Sequence, residues 1–155
     1  MIPLDAFDRH ILELLQQHCR LSSESIAEQV GLSSSAVQRR IKRLRDENII
    51  EQEVTIVAHE ASIHPMSFLA SLEIERDNYT VLKELTRWAN EQTCVQQLFY
   101  VTGNIDVMLV VTAKTTKAYD GFIQSLMDQF PQIKRVTTNV VIDQPIKSLS
   151  IPTRE

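Results

Sequence analysis

The sequence predicts an α+β fold in two parts, an N-terminal winged helix-turn-helix and a C-terminal ferredoxin-like βαββαβ domain. Three observations predict it. Apolar residues recur at helical spacing up to about residue 47. The period then changes to that of extended chain. From residue 66 onward, segments follow in the order strand, helix, strand, strand, helix, strand. The length of 155 residues suits one ordinary domain or two small ones, at about 150 residues each.

Each element has a local cause. In 5–19, Phe7, Ile11, Leu14 and Leu15 share a helical face, Asp5 is a good N-cap and Asp8 adds an anion to the first turn. A second helix at 24–30 starts from Ser22 or Ser23 and carries Ile26, Ala27 and Val30. Gly31 ends it, where only a residue tolerant of positive φ is comfortable. Leu32 anchors the turn, and Ser33 caps a third helix at 34–47 with Val37, Ile41 and Leu44 on one face. Asn48 suits a left-handed stop. Residues 49–57 are rich in β-branched side chains and read as a strand or wing. The predicted boundaries are 1–58 for the first domain, 59–64 for a linker closed by Pro65, and 65–155 for the second domain.

In the second domain, Phe68, Ala70, Leu72 and Ile74 alternate with Leu69, Ser71, Glu73 and Glu75. Helices are predicted at 79–92 and 116–130, the second stopped by Pro131. Strands are predicted at 95–101, 106–113 and 136–142, the first two joined by a tight turn at Gly103 and Asn104. The tail alternates Ile146, Leu149 and Ile151, a pattern suited to packing on a neighbouring surface.

Composition excludes several function classes. The three glycines, Gly31, Gly103 and Gly121, form no phosphate-cradling loop. Cys19 and Cys94 form no C-x-x-C, which excludes a zinc ribbon and a disulfide framework and fits a reducing compartment. Cys19 reads as helix packing rather than a nucleophile. The start MIPLDAFDRH is acidic where a signal peptide is basic and apolar. No apolar run approaches the ~20 residues that span a bilayer, so a cytoplasmic protein with no membrane partner is expected. His59, Glu60 and His64 miss the zinc-binding H-E-x-x-H spacing by one residue, and Pro65 disfavours a helix there. No metal, cofactor or catalytic residue is predicted, and no enzymatic activity.

Net charge is −4, yet VQRRIKRLR at 37–45 holds five cations and no acid. Advancing about 100° per residue from Val37, Ile41 and Leu44 fall near 0° on the buried side. Ser35, Arg39, Lys42 and Arg43 fall at about 160°, 200°, 140° and 240°, pointing outward together. Such a helix can enter a major groove about 12 Å wide. Ser33, Ser34, Ser35, Gln38 and Arg39, on its first turns, are candidates for base edges or nearby phosphates. Lys42 and Arg43 suit phosphates, and the Ser34 and Ser35 amides can hold one at the helix N-terminus. Arg40 and Arg45 flank the core face and read as structural, paired with acids such as Asp8 or Asp46. A solvated basic face is the plain alternative; the preceding helix, Gly31 turn and Ser33 cap are what favour DNA.

Several pieces occur in order: Leu4-Asp5 with Asp8, Leu14-Leu15-Gln16, Ala27 with Val30-Gly31-Leu32-Ser33, and Val37 with Arg40-Ile41 and Leu44. Ile49-Ile50, the 101–106 run VTGNID, and Phe130-Pro131 before 133–142 complete the set. Over about residues 4–150 this resembles the Lrp/AsnC (feast/famine) family of transcription regulators. Asn48 stands where the family usually has Gly, and Asn104 where relatives are often acidic, which bears on the effector. The resemblance implies binding of double-stranded DNA, homodimers commonly assembled into octamers, and an amino acid or related small molecule bound between dimers. Carried over by position, the effector site comprises Thr102, Gly103, Asn104 and Asp106, with Thr137 and Thr138 beside them. Asp106 would accept hydrogen bonds from an α-ammonium, and the Gly103 and Asn104 amides would meet a carboxylate. These are also ordinary hairpin-turn residues, with Asp106 bracing the turn. Two rival functions share the plan: a sirohaem decarboxylase, which has no need of a basic stripe, and an architectural protein that binds DNA with little sequence preference.

Overall fold

The computed structural model describes residues 3–58, 61–75, 79–146 and 148–154. His59 and Glu60, weighed above as metal ligands, lie outside the described residues. The chain divides into two units, Met1–Ile56 with Ile146–Glu155, and Val57–Pro145.

The first unit holds α1 (Ala6–Gln17), α2 (Ser23–Val30) and α3 (Ser34–Asp46). Each begins on a side chain that satisfies an orphan amide. The Asp5 carboxylate accepts from the Asp8 amide while the Asp8 carboxylate accepts from the Asp5 amide, a reciprocal capping box. Ser22 accepts from the Ser25 amide and Ser33 from the Ala36 amide. Gly31 is left-handed at φ 74° and turns the chain from α2 into α3. Asn48 takes φ 53° after α3, the position the sequence marks as a stop. Ile11, Ile26, Val37 and Leu44 are fully buried where the three helices meet, each stabilising by about 1.5–3 kcal/mol.

One expectation fails in this unit, and the tail is grouped differently. Residues 51–58 form no strand among the described residues; β-branched composition favours extended backbone, but a strand also needs a partner ladder. Val54, Ile56 and Val57 are exposed. The tail, assigned above to the 65–155 domain, groups with the first unit. Its backbone is gripped by polar side chains of α1. Gln16 donates to the Ile151 carbonyl at 3.0 Å and accepts from its amide at 2.7 Å. Arg9 donates to the Thr153 carbonyl, Thr153 donates to the Arg9 carbonyl, and Arg154 pairs with Glu13. Ile146, Leu149 and Ile151 themselves stay exposed.

The second unit holds β1 (Met66–Ile74), α4 (Tyr79–Glu91), β2 (Val95–Tyr100), β3 (Val107–Ala113), α5 (Thr116–Gln129) and β4 (Ile133–Val140). The sheet runs β2-β3-β1-β4, with every neighbouring pair antiparallel. Phe68, Ala70, Leu72 and Ile74 of β1 and Val107, Leu109 and Val111 of β3 face one way and pack with Val81, Leu85, Tyr119 and Leu126. The alternation read from the sequence is this face. Tyr119 stacks on Phe68 with ring centroids 4.0 Å apart. β4 starts at Ile133, three residues earlier than expected, because a register shift between Glu73 and Ile74 lets Ile133 pair with Ile74.

Cys94 is half-buried, its carbonyl accepting from the Thr112 amide and hydroxyl. Burial pushes its thiol above the ordinary value, whereas Cys19 is exposed. Thiol labelling at pH 8 should be biphasic, Cys19 reacting about tenfold faster or more. Equal rates would contradict this packing.

Candidate nucleic-acid interface

The structure sorts the five cations of α3 into two classes. Arg40 donates to Asp5 and Asp8 at 2.8 Å each, and its guanidinium lies 5.4 Å from the Phe7 ring centroid. Arg43 pairs with Asp8, and Arg45 pairs with Glu53 at 2.8 Å. Arg39 and Lys42 are exposed and have no ion pair among the described residues. They are also the two nearest the direction opposite Val37, at about 200° and 140°.

Ser33, Ser35 and Gln38 are exposed on the same helix, and Ser34 is half-buried. The Ser33 and Ser35 hydroxyls lie 3.2 Å apart. The Ser34 and Ser35 amides stand in the first turn, where a helix has no acceptor of its own and favours an anion. The result is a short polar face, hydroxyls and amides at its start and two unpaired cations one and two turns on. Such a face can donate to phosphates and base edges.

The pairing of Arg43 modifies the expectation from sequence, which made it a phosphate contact; its guanidinium is half-exposed but held by Asp8. Arg40 pairs with Asp8 as read, and Arg45 takes Glu53 rather than Asp46. What the sequence reading missed is that Asp8 is buried, with a side chain 1% exposed, and takes Arg43 as well as Arg40. A signal for it exists. Asp8 lies about 60° from Ile11 around α1, on the apolar face, where a carboxylate requires a cation.

The other predicted site lies in the second unit. Residues 101–106 join β2 to β3, with Thr102, Gly103 and Asn104 exposed and Gly103 at φ 126°. The Gly103 and Asn104 amides have no acceptor among the described residues. Asp106 braces the turn: its carboxylate accepts from the Ile74 amide at 2.7 Å, its amide donates to Leu72, and its carbonyl accepts from Val101. Thr137 and Thr138 are not brought together. Thr138 pairs across the strands with Ala70, on the helix-covered face, and its hydroxyl bonds that of Tyr119 at 2.7 Å. Thr137 pairs with Ser71 on the opposite face. Among the described residues no cluster of His, Cys, Asp and Glu is arranged to hold a metal, and no helix is long and apolar enough to cross a membrane.

Residues 4–45 match the AsnC-type helix-turn-helix domain, and residues 67–151 match the Lrp/AsnC ligand binding domain. The chain belongs to the Lrp/AsnC family. An uncharacterized HTH-type transcriptional regulator of Sinorhizobium fredii, y4tD, is 34% identical over 149 residues, covering 96% of this chain and 88% of that protein. The transcriptional regulator AzlB of Bacillus subtilis is 30% identical, covering 99% and 98%. The regulator NMB0573 of Neisseria meningitidis, solved as a complex with L-Met, superposes with a TM-score of 0.86 at 23% identity, covering 97% of both chains. This Lrp/AsnC protein is thus a DNA-binding transcriptional regulator carrying the family's ligand-binding domain.

The Asp5 cap of α1 makes the stability of this unit sensitive to acid. The Asp5 carboxyl is held below its ordinary value, chiefly by the Asp8 amide, opposed by some burial and aided by Arg40. A depressed carboxyl stabilises above its unfolded pKa and loses that stabilisation as pH falls through the lower folded one. Helix content between about pH 5 and pH 2.5 should therefore fall below about pH 4. Asp5→Asn should flatten part of that fall, and an unchanged profile would contradict the network.

Proposed function

We propose that this Lrp/AsnC regulator reads double-stranded DNA with the outward face of α3, as a homodimer that assembles further into octamers. The observation that carries this reading is the sorting of charge on α3. The cations left unpaired are the ones aimed away from the core, in line with Ser35 and flanked by Gln38, with Ser33 and Ser34 at the helix start. Serines and Gln38 supply base-edge or phosphate hydrogen bonds, and Arg39 and Lys42 supply the cationic contacts. Arg43 is a weaker phosphate contact, because Asp8 already holds it. A two-fold axis would present two such helices to half-sites about 34–36 Å apart. The acidic remainder of the chain repels DNA and confines contact to this face.

An amino acid or related small metabolite is proposed to bind at the 101–106 turn and to favour one assembly over another, since only differential affinity shifts such a balance. Three features support the turn: the unpaired Gly103 and Asn104 amides, the exposed Thr102, and the second carboxylate oxygen of Asp106. The L-Met complex of the Neisseria relative supports the ligand class. Thr137, on the helix-free face, is the better placed of the two threonines; Thr138 is engaged by Tyr119.

Selection from random DNA should return a shared, pseudo-palindromic motif. On that motif, Arg39→Ala with Lys42→Ala should weaken binding and leave oligomer size unchanged. With two phosphates per protomer no longer neutralised, the log–log salt slope of the bound dimer should fall by about 3.6. Unchanged binding in a gel shift at fixed salt would reject this face. A thermal-shift screen of the twenty amino acids, beside size-exclusion with light scattering, should find at least one that raises the melting temperature and alters assembly size. No response from any of them would count against the proposed effector class.

A further inference from the structure

A buried carboxylate on α1 takes up charge from α3. Asp8 is 1% exposed and receives both Arg40 and Arg43. Arg40 is anchored a second time, on Asp5, and lies against Phe7. Arg43 has Asp8 as its one acidic partner among the described residues, and its side chain is 45% exposed. It therefore stands at the edge of the DNA-facing surface while its charge is answered from inside the protein. A phosphate that recruited Arg43 would leave Asp8 with one cation fewer in a site closed to water, so the exchange gains little.

We infer that Asp8 is a charge-sorting residue: by withholding Arg43 from phosphates it keeps the regulator's grip on DNA of arbitrary sequence weak. The proposal rests on the reading of α3 given above and deepens it. Non-specific binding scales with the number of cations delivered to phosphates. With three of the five α3 cations answered by Asp5, Asp8 and Glu53, the outward face carries two. Discrimination between sites then depends more on the hydrogen bonds of Ser34, Ser35, Gln38 and Arg39 than on bulk attraction.

Asp8→Asn isolates the charge. Asparagine retains a side-chain oxygen for the Asp5 amide, so the capping box can persist. The Asp5 amide and Arg43 share Oδ2 of Asp8 while Arg40 uses Oδ1, so an asparagine that keeps the cap leaves Arg43 only a neutral hydrogen bond. Arg40 keeps Asp5, and Arg43 is the cation whose charge is left unanswered. The test uses the full chain, a labelled 30-base-pair duplex of randomised sequence, and fluorescence anisotropy from 50 to 200 mM salt. Asp8→Asn should bind this duplex tighter at low salt and steepen the log–log salt slope by about 0.9 per protomer, about 1.8 for the dimer, or about 12-fold in affinity across that range. Arg43→Gln alone should stay within about twofold of the parent, and the double variant should match Arg43→Gln. An unchanged slope for Asp8→Asn, or a slope reduced by about 1.8 for Arg43→Gln, overturns the proposal. If Asp8→Asn does not fold by circular dichroism, Arg43→Gln decides alone by the same criterion. The Arg39→Ala, Lys42→Ala pair in the same series separates the two readings. If that pair binds like the parent, the α3 face is wrong; if it weakens while the Asp8 and Arg43 variants miss their expected values, only the charge-sorting role fails.

Discussion

The N-terminal unit turns on one buried carboxylate. Asp8 begins α1 as half of a capping box, lies on that helix's apolar face, and is satisfied there by two guanidinium groups from α3. A carboxylate removed from water is costly unless paired and hydrogen-bonded, so α3 is held at the rotation that brings Arg40 and Arg43 to it. That rotation places Val37, Ile41 and Leu44 in the core and leaves Arg39 and Lys42 pointing away. Helix packing, charge pairing and the exposed face are thus three consequences of one setting of α3 about its axis.

The second unit uses a different device. A four-stranded antiparallel sheet carries both helices on one face, and strict alternation in β1 and β3 assigns each side chain to the covered or the open side. The same alternation separates Thr137 from Thr138, so two adjacent residues that look equivalent in sequence have different surroundings. At the sheet's end Asp106 fastens the β2–β3 turn to β1 through main-chain bonds on both sides. A turn held so firmly can keep the Gly103 and Asn104 amides unpaired and still presented in a fixed place.

Local signals carried most of the fold. Asp5, Ser22 and Ser33 were legible as caps because each needs only an amide two or three residues away. Gly31 and Asn48 were legible because few residues accept positive φ. The outward face of α3 was legible from its wheel. Errors arose where the deciding partner is distant or absent. The 51–58 segment has strand-like composition but forms no strand among the described residues. The tail's place on α1 depends on Gln16 and Arg9, some 135 and 144 residues away along the chain. Arg43 looked free because its partner, Asp8, belongs to another helix. The 101–106 turn was legible from Gly103 and Asn104, and the bracing role of Asp106 only by its alternative reading.

The central claim, that the outward face of α3 meets DNA, can be tested by direct contact. A photo-crosslinking residue in place of Gln38 should give a covalent adduct with bound duplex on irradiation, whereas the same group in place of Gln17, exposed at the end of α1, should give none. Adducts from position 17 with none from position 38 would contradict the account.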